Sequence, residues 1–272
     1  MSDTSGDALT KYTDPTMREF MNEAGGGYYN YGKLAPDTDT TKMTSLREAN
    51  ESMVEYIISE LGITTESRVL DLACGQGMYL VQIAARTGCS FVGTDKFEVE
   101  LEQARRNANE FGVNTQGKFL ESSWEEMSEE VKGEKFTHIL SMGALHYGHP
   151  IIDEILNDIA GCCDFHTKVF LWDIDRCTAW EDCSDPNIHL QMSHAMLSRY
   201  EMISHIEESA LELTKYEDWT PFIIPGYEFL CRMCEIKDPE MKILTYPKMK
   251  KAFIEGKLSN GIYYLSLKRF IG

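Results

Sequence analysis

Two glycines between an apolar run and a helical pattern form the clearest candidate for a ligand-binding turn. They lie in Val69-Leu-Asp-Leu-Ala-Cys-Gly-Gln-Gly77, which joins a predicted strand to a predicted helix. Gly75 and Gly77 let the backbone approach a ligand closely, at the carboxyl edge where α/β sheets bind nucleotides. Asp95 follows at the end of the next predicted strand. Its carboxylate can accept hydrogen bonds from both ribose hydroxyls of an adenosine.

A histidine follows the fourth predicted strand and is the candidate base. It ends the run Ile139-Leu-Ser-Met-Gly-Ala-Leu-His146. An imidazole has an ordinary pKa of about 6.5. At the mouth of such a site it can remove a proton from an amine or a hydroxyl before group transfer. The alternative is that His146 only packs its loop, and the residues alone weigh the two roles evenly.

Strand and helix patterns alternate along the chain and would bring these residues to one edge of a sheet. Repeated strand–helix units of this length predict an α/β fold with a parallel sheet and helices on both faces. Ser45-Leu-Arg-Glu48 has the form of a helix capping box, and further helices are predicted near 125–131 and 150–161. The predicted strands are 68–72, 90–95, 117–120, 136–141, 168–172, 211–216 and a last, antiparallel one at 261–268.

The composition describes a globular protein with a strongly acidic balance. The 272 residues include 44 acidic and 26 basic side chains, for a formal net charge of -18. With 43% hydrophobic residues the chain can build a full core, so a disordered acidic protein is excluded. No basic stripe interrupts the negative charge, which argues against nucleic acid as a partner.

Cysteines and apolar runs bear on the cellular compartment. The first residues are polar and acidic, unlike a secretory signal, so the eight cysteines are predicted to be free thiols in a reducing cytoplasm. The longest apolar runs fall short of the roughly 20 residues of a membrane span, so no membrane association is expected. The single pair Cys231 and Cys234 lacks a second pair at zinc spacing, and no metal site is predicted.

The form of the glycine turn points to one family of nucleotide-binding enzymes. Leu80 stands where a dinucleotide fingerprint needs its third glycine, and the Gly-Lys-Ser/Thr of a phosphate loop is absent. Asp71-Leu-Ala-Cys-Gly-Gln-Gly77 instead resembles motif I of the class I S-adenosylmethionine-dependent methyltransferases. The resemblance spans roughly 45–270. It implies a Rossmann-like, seven-stranded, mostly parallel sheet with helices on both faces, and S-adenosyl-L-methionine as the cofactor.

The resemblance also assigns residues to the cofactor. The family places its contacts in motif I, at the acid after the second strand, and after the third and fourth strands. Tyr29, in the N-terminal segment, is a further candidate because it could close over the cofactor. The positions of this chain that match are Tyr29, Asp71, Ala73, Gly75, Gly77, Asp95, Lys96, Ser123, Trp124 and Ser141.

Two N-terminal segments resemble the lid of the phosphoethanolamine and sarcosine/dimethylglycine N-methyltransferases. These are Lys11-Tyr-Thr-Asp-Pro15 and Gly27-Tyr-Tyr-Asn-Tyr-Gly32. In the phosphoethanolamine branch a lid tyrosine latches onto the histidine after the fourth strand, and Tyr12 and His146 match those positions. The resemblance implies a lid over 1–44 and a methyltransferase domain over 45–272, with helical substrate-cap insertions near 177–198 and 221–245. The candidate acceptor-binding residues are Tyr28, Tyr31, Trp172, Asp173, Trp180 and Tyr200.

The predicted activity is methyl transfer to a small-molecule acceptor by in-line displacement, with His146 as base. Asp173 and Asp175 lie beside the predicted acceptor pocket, so an amine nitrogen is favoured over a phosphorylated acceptor. The alternatives are O-, C- or S-methylation of a natural product or other small metabolite, and a noncatalytic S-adenosylmethionine-binding protein. The protein is expected to act as a monomer or homo-oligomer.

Overall fold

All seven predicted strands form in the computed structural model of the chain, which describes residues 15–124, 126–127, 130–177, 196–237 and 245–269. They are β1 Arg68–Leu72, β2 Ser90–Asp95, β3 Gly117–Glu121, β4 His138–Met142, β5 Lys168–Arg176, β6 Leu211–Asp218 and β7 Leu258–Leu267.

The strands pair in one sheet of order β3-β2-β1-β4-β5-β7-β6. The first five are parallel, while β7 runs antiparallel between β5 and β6. The order reverses between β1 and β4, which is where open α/β sheets bind ligands beyond the carboxyl ends of their strands. The predicted Rossmann-like seven-stranded sheet with a late antiparallel strand is therefore confirmed.

Helices cover both faces of this sheet. Within the described ranges the α-helices are α1 Pro15–Gly25, α2 Arg47–Leu61, α3 Met78–Thr87, α4 Glu98–Glu110, α5 Ile152–Gly161, α6 Arg199–Glu208, α7 Thr220–Lys237 and α8 Thr245–Ile254. Successive side chains of β1 point to opposite faces, so Val69 joins one apolar core and Leu70 the other. The first core contains residues of α1 to α4, α7 and α8, and the second those of α5 and α6. Among the helices that the structure describes, none is long and apolar enough to cross a membrane.

Two helix predictions made from local sequence patterns are wrong. The capping box predicted at Ser45 does not form, because α2 begins at Arg47 and the Ser45 hydroxyl accepts a hydrogen bond from the Arg47 N–H. The same Ser-x-x-Glu pattern does form a capping box at Ser198 and Glu201, at the start of α6. The helix predicted near 125–131 is also wrong where the structure describes its C-terminal end, because residues 130–133 form a turn.

The other predicted boundaries shift by a few residues. β5 continues to Arg176, because it pairs with β7 as far as Leu258. The helical insertion predicted near 221–245 contains a helix at Thr220–Lys237, with Pro225 inside it. The inner parts of the two predicted insertions, 178–195 and 238–244, lie outside the described residues. The division into a lid, a methyltransferase domain and cap insertions stays a prediction.

A short strap, residues 32–34, fixes the N-terminal segment to the rest of the molecule. The Lys33 N–H donates to the Ala49 carbonyl at 3.0 Å, and the Leu34 N–H donates to that of Phe222 at 3.1 Å. Gly32 adopts a φ of 65°, and a Cβ there would lie 2.3 Å from the Ala49 carbonyl carbon, so only glycine fits.

Cation–π contacts link Lys33 of the strap to the two aromatic side chains that hold Glu217. The Lys33 ammonium lies 4.3 Å from the Tyr56 ring centroid and 4.6 Å from that of Trp219. Glu217 in turn accepts hydrogen bonds from the Tyr56 hydroxyl at 2.6 Å and the Trp219 indole at 3.0 Å, and pairs with Lys215 at 2.9 Å. Burial alone would raise the pKa of Glu217, but these donors outweigh burial and lower the pKa to about 2.

We predict that Glu217→Gln destabilises the fold near neutral pH by about 2 kcal/mol, as expected for charge-assisted hydrogen bonds. A carboxyl whose pKa is depressed in the folded state stabilises it above the unfolded value, here 4.5, and this stabilisation is lost as the pH falls toward about 2. Urea unfolding over this pH range measures the difference between wild type and variant, which should shrink with acidity. Glu60→Gln, which removes another partner of Lys215, is the control and should show little pH-dependent difference. A constant difference for Glu217→Gln would contradict this account.

Candidate functional site

A large cavity opens at the carboxyl ends of β1, β2 and β4. Its volume is about 2100 Å³, counting the part that opens to solvent. The residues that sequence analysis assigned to cofactor or acceptor converge on it from six segments of the chain. The predicted residues that line the cavity are Tyr28, Tyr29, Tyr31, Asp71, Ala73, Gly75, Asp95, Lys96, Ser123, Trp124, His146 and Trp172.

Other predicted residues do not line the cavity. Gly77 caps the start of α3, and Ser141 is fully buried in β4. Asp173 was expected to line the acceptor pocket, but it is 2% exposed and lies against His146 instead. Tyr200 was also expected there and is 75% exposed on α6, because its position on the helix turns the ring outward beside Arg199. Tyr12 and Trp180 lie outside the described residues.

The glycine turn is held to the second strand by its acid. Ala73, Gly75 and Gly77 all have φ between 55° and 68°, a left-handed conformation that folds the chain tightly after β1. The Gly75 N–H donates to Asp95 Oδ2 at 2.9 Å, and the Phe97 N–H donates to Oδ1 at 2.9 Å. Burial raises the pKa of Asp95, while these backbone donors oppose the shift. Each carboxylate oxygen keeps a second acceptor position for a ligand hydroxyl.

Asp71 presents a buried acceptor without a donor. It is 1% exposed, and its Oδ1 has no hydrogen-bond partner among the described residues. Burial, with the nearby charge of Asp95, raises the pKa of Asp71 well above its ordinary value. The Ser141 hydroxyl is likewise unpaired within the same ranges. Since an unsatisfied buried carboxylate is costly, this end of the cavity is suited to a cationic hydrogen-bond donor.

Tyr29 closes the cavity over the glycine turn. A Cβ on Gly75 would lie 3.3 Å from the Tyr29 ring. The Tyr29 hydroxyl donates to Glu100 Oε1 at 3.1 Å and accepts from Gln76 at 2.7 Å. Arg18 of α1 pairs with the same Glu100 oxygen at 3.0 Å, and burial raises the pKa of Glu100 to about 7. Sequence reasoning missed this network, because no local pattern relates Arg18 to Glu100.

The lid segment, residues 27–31, is anchored beyond Tyr29 as well. The Asn30 amide donates to the Met142 carbonyl at the end of β4, at 3.1 Å. The Asn30 carbonyl accepts from the Asn50 amide at 3.0 Å. Tyr31 stacks on Tyr227 of α7, with ring centroids 4.0 Å apart and planes inclined by 28°. The segment therefore crosses the cavity between the sheet edge and α7.

His146 is held by a buried carboxylate. It lies in the 3₁₀ turn Leu145–Tyr147, directly after β4, and lines the cavity. Its Nδ1 is 2.6 Å from Asp173 Oδ1, and the two residues are 4% and 2% exposed. A buried carboxylate at this distance fixes the orientation of the imidazole ring. The arrangement is suited to accepting a proton within the cavity.

The remaining wall is aromatic and was only partly foreseen. Tyr227 and Tyr246 line it beside Tyr31 and Trp172, and Asn260 of β7 adds an amide. The prediction of a cap near 221–245 included Tyr227 by position but gave it no role. In the described part of the wall Lys96 is the one lysine or arginine. Its acidic residues are Asp71, Asp95, Glu100 and Asp158.

Comparison with known proteins identifies the family. A family model described as a methyltransferase domain matches residues 63–216, more than half of the chain. The chain belongs to this methyltransferase family. The matched range contains the glycine turn, Asp95 and His146, and the predicted resemblance to class I S-adenosylmethionine-dependent methyltransferases is confirmed.

Individual relatives share the fold with little sequence identity. The geranyl diphosphate C-methyltransferase of Streptomyces coelicolor A3(2), solved with Mg²⁺, geranyl diphosphate and S-adenosyl-L-homocysteine, aligns with a TM-score of 0.76 at 13% identity, over 98% of this chain and 99% of that one. A Galdieria sulphuraria protein described as a sarcosine dimethylglycine methyltransferase aligns with a TM-score of 0.77 at 16% identity, over 94% and 97%.

Curated relatives match over shorter stretches. The 23S rRNA uracil C5-methyltransferase of Shewanella sediminis (strain HAW-EB3) is 35% identical over 65 residues, which cover 24% of this chain and 14% of the relative. This chain spans about a third or less of the length of the curated relatives that it matches.

We predict that Gly143→Ala loosens the lid. Gly143 has a φ of 72°, and a Cβ there would lie 2.8 Å from Asn30 Oδ1, so the substitution strains the backbone and displaces the Asn30 anchor. The expected loss is about 1–2 kcal/mol, with faster amide hydrogen exchange over residues 27–31 measured by mass spectrometry. Gly161→Ala is the control, because nothing lies within 4 Å of its added Cβ. Unchanged exchange in the lid of Gly143→Ala would show that Asn30 does not anchor it.

Proposed function

We propose that this protein is an S-adenosylmethionine-dependent methyltransferase that acts on a small-molecule acceptor. The observation that carries the proposal is the buried Asp71 side chain beneath the glycine turn of a methyltransferase-family chain, whose Oδ1 has no partner among the described residues. Its position suits the ammonium of an amino-acid moiety, which is a cationic donor. Bound S-adenosylmethionine would supply an electrophilic methyl group, which an acceptor takes up by in-line displacement.

The residues present fit the chemical groups of this cofactor. Asp71 would accept hydrogen bonds from the ammonium, and Asp95, at the end of β2, from the ribose hydroxyls. Gly75 gives the cofactor close access to the backbone, and Tyr29 shields it from solvent. The residues that would surround the adenine are Lys96, Ser123 and Trp124, all of which line the cavity.

A small acceptor fits the closure of the site. The lid segment crosses the cavity and is tied to β4 through Asn30 and to α7 through Tyr31. A substrate must therefore enter a pocket walled by tyrosine and tryptophan rings, which favours a molecule that the cavity can enclose. The His146–Asp173 pair beside that wall favours a catalytic protein over a noncatalytic cofactor-binding one.

We infer that the acceptor atom is an amine nitrogen. Tyr31, Tyr227 and Trp172 line the cavity, and aromatic rings attract an ammonium or a nitrogen that gains positive charge on methylation. Two acids of β5 first suggested an amine. Asp173 pairs with His146, and Asp175 accepts a hydrogen bond from the Tyr263 hydroxyl, so neither acid lines the cavity itself.

Other acceptors fit the wall less well. A diphosphate needs cations, yet Lys96 is the one lysine or arginine along the described wall. A metal ion could also bind a diphosphate, but within the described ranges there is no cluster of three or more potential metal ligands. Hydroxyl, carbon or thiol acceptors are the alternatives, and the methylated product distinguishes them. The charge of -18 continues to argue against nucleic acid.

We predict that Asp71→Asn weakens S-adenosylmethionine binding by at least about tenfold, because a charge-assisted hydrogen bond is lost. Isothermal titration calorimetry measures the affinity. The stability without ligand should change little, since no donor among the described residues pairs with Asp71 Oδ1. Asp37→Asn, at an exposed position, is the matched control and should bind like wild type. Equal affinity in Asp71→Asn would remove Asp71 from the site, and no binding by wild type would refute the proposed function.

We predict that His146→Gln lowers turnover by about 100-fold with an acceptor that arrives protonated, while cofactor affinity stays unchanged. The reason is that glutamine keeps a polar side chain but cannot take up the proton. Turnover is measured as S-adenosylhomocysteine release across panels of amines, phenols, thiols and carbon nucleophiles. Release with phenols or thiols but not with amines would contradict the nitrogen assignment. Undiminished turnover in His146→Gln would exclude the histidine as base.

A further inference from the structure

The carboxylate behind His146 lies between two buried histidines. Asp173 Oδ1 is 2.6 Å from His146 Nδ1, and Asp173 Oδ2 is 3.7 Å from His149 Nε2. We propose that Asp173 is a positioning residue that holds His146 in the tautomer whose Nε2 accepts the acceptor's proton. This inference rests on the proposed function, since it specifies how the base of that reaction is prepared.

The tautomer of His146 follows from the chemistry of its partner. An ionised carboxylate has acceptors and no donor, so the hydrogen of this 2.6 Å contact belongs to Nδ1 of the imidazole. The lone pair of the neutral ring is then on Nε2. Both residues are buried, at 4% and 2% exposure, so little water competes for the contact. The opposite tautomer would place two acceptors against each other.

His149 lies beside the second oxygen of Asp173, at ion-pair distance and without a hydrogen bond to it. Its Nδ1 accepts a hydrogen bond from the Leu197 N–H at 2.8 Å, so the ring proton of neutral His149 lies on Nε2. That N–H is on the nitrogen 3.7 Å from Asp173 Oδ2, and the His149 side chain is buried. The carboxylate thus has a histidine on each side, one of them tied to the backbone that enters α6.

The backbone of Asp173 is fixed from the other side of β5. The Asn260 amide of β7 donates to the Asp173 carbonyl at 2.9 Å, and the Trp172 indole donates to the Asn260 side-chain oxygen. Asp173 therefore cannot shift along the strand without breaking contacts to β7. A fixed carboxylate gives His146 one ring orientation, which is what a base at a reacting atom requires.

The proton balance of the step is simple. The N–H bond of a protonated acceptor breaks as its proton moves to His146 Nε2, and the freed electron pair forms the bond to the methyl carbon. The electron pair of the broken carbon–sulfur bond stays on sulfur. Asp173 accepts the Nδ1–H of His146 throughout, and the ring returns the proton on Nε2 to solvent after the product leaves.

Asp175 provides a matched control on the same strand. It lies two residues after Asp173, so it points to the same face, and it is equally buried at 2%. Its partners are the hydroxyls of Tyr263 at 2.5 Å and Tyr216 at 3.3 Å. Asp175→Asn thus removes a buried carboxylate from β5 without touching a histidine.

The test combines nitrogen-15 NMR of the histidine rings with steady-state kinetics. In wild type the His146 signals, assigned through His146→Gln, should show a protonated Nδ1 and an unprotonated Nε2 at the pH of turnover. Asp173→Asn should mix the tautomers and lower kcat by about 10- to 100-fold, with KM for S-adenosylmethionine changed less than about twofold. Asp175→Asn should alter neither the His146 signals nor kcat.

Results that contradict the role of Asp173 differ from those that contradict the proposed function. A wild-type His146 protonated on Nε2 overturns the inference without requiring any variant to fold. Equal kcat in Asp173→Asn and wild type, or equal losses in Asp173→Asn and Asp175→Asn, also overturns it. Absence of turnover with every acceptor would refute the proposed function instead, while the NMR result would still report whether Asp173 sets the tautomer.

Discussion

A buried carboxylate must find hydrogen-bond donors or give up its charge, and this constraint organises the edge of the sheet. Asp95 takes its donors from the backbone, through the N–H groups of Gly75 and Phe97. Asp173 takes one from His146. Asp71 keeps an oxygen for which the described protein supplies no donor. The first two arrangements fix the turn and His146, and the third leaves an acceptor that suits a cationic ligand.

The lid depends on the same edge. Glu100, with a raised pKa, accepts a hydrogen bond from the Tyr29 hydroxyl and forms an ion pair with Arg18 of α1, so the N-terminal segment supplies both partners of this buried acid. The strap then carries the chain to α2 and α7 through Gly32 and Lys33. The residues that cover the cavity therefore also contact one of its acids, Glu100.

The sequence predicted best what depends on short-range pattern. Strand alternation, the two glycines and the acid at Asp95 are local signals, and the fold that they predicted is confirmed. The family resemblance correctly brought Tyr29 and Trp124 to the cavity, although their roles there stay proposals. By contrast, Ser45 and Ser198 share one capping pattern and only Ser198 uses it, because tertiary packing decides where each helix starts.

What the sequence could not predict are pairs brought together by the sheet. Asp173 and His149 stand on different segments, and neither sequence neighbourhood indicates the contact. Tyr200 shows the converse error, since an aromatic side chain near a predicted pocket has no preferred direction until its helix is placed.

The central claim is that Asp71 is completed by the ammonium of S-adenosylmethionine. A crystal structure with S-adenosylhomocysteine, which retains that ammonium, measures this directly as the distance from Asp71 Oδ1 to the ligand's amino nitrogen. The account predicts a charge-assisted hydrogen bond of about 2.7–2.9 Å. A ligand bound with its amino group elsewhere, and Asp71 Oδ1 still without a donor, would contradict it.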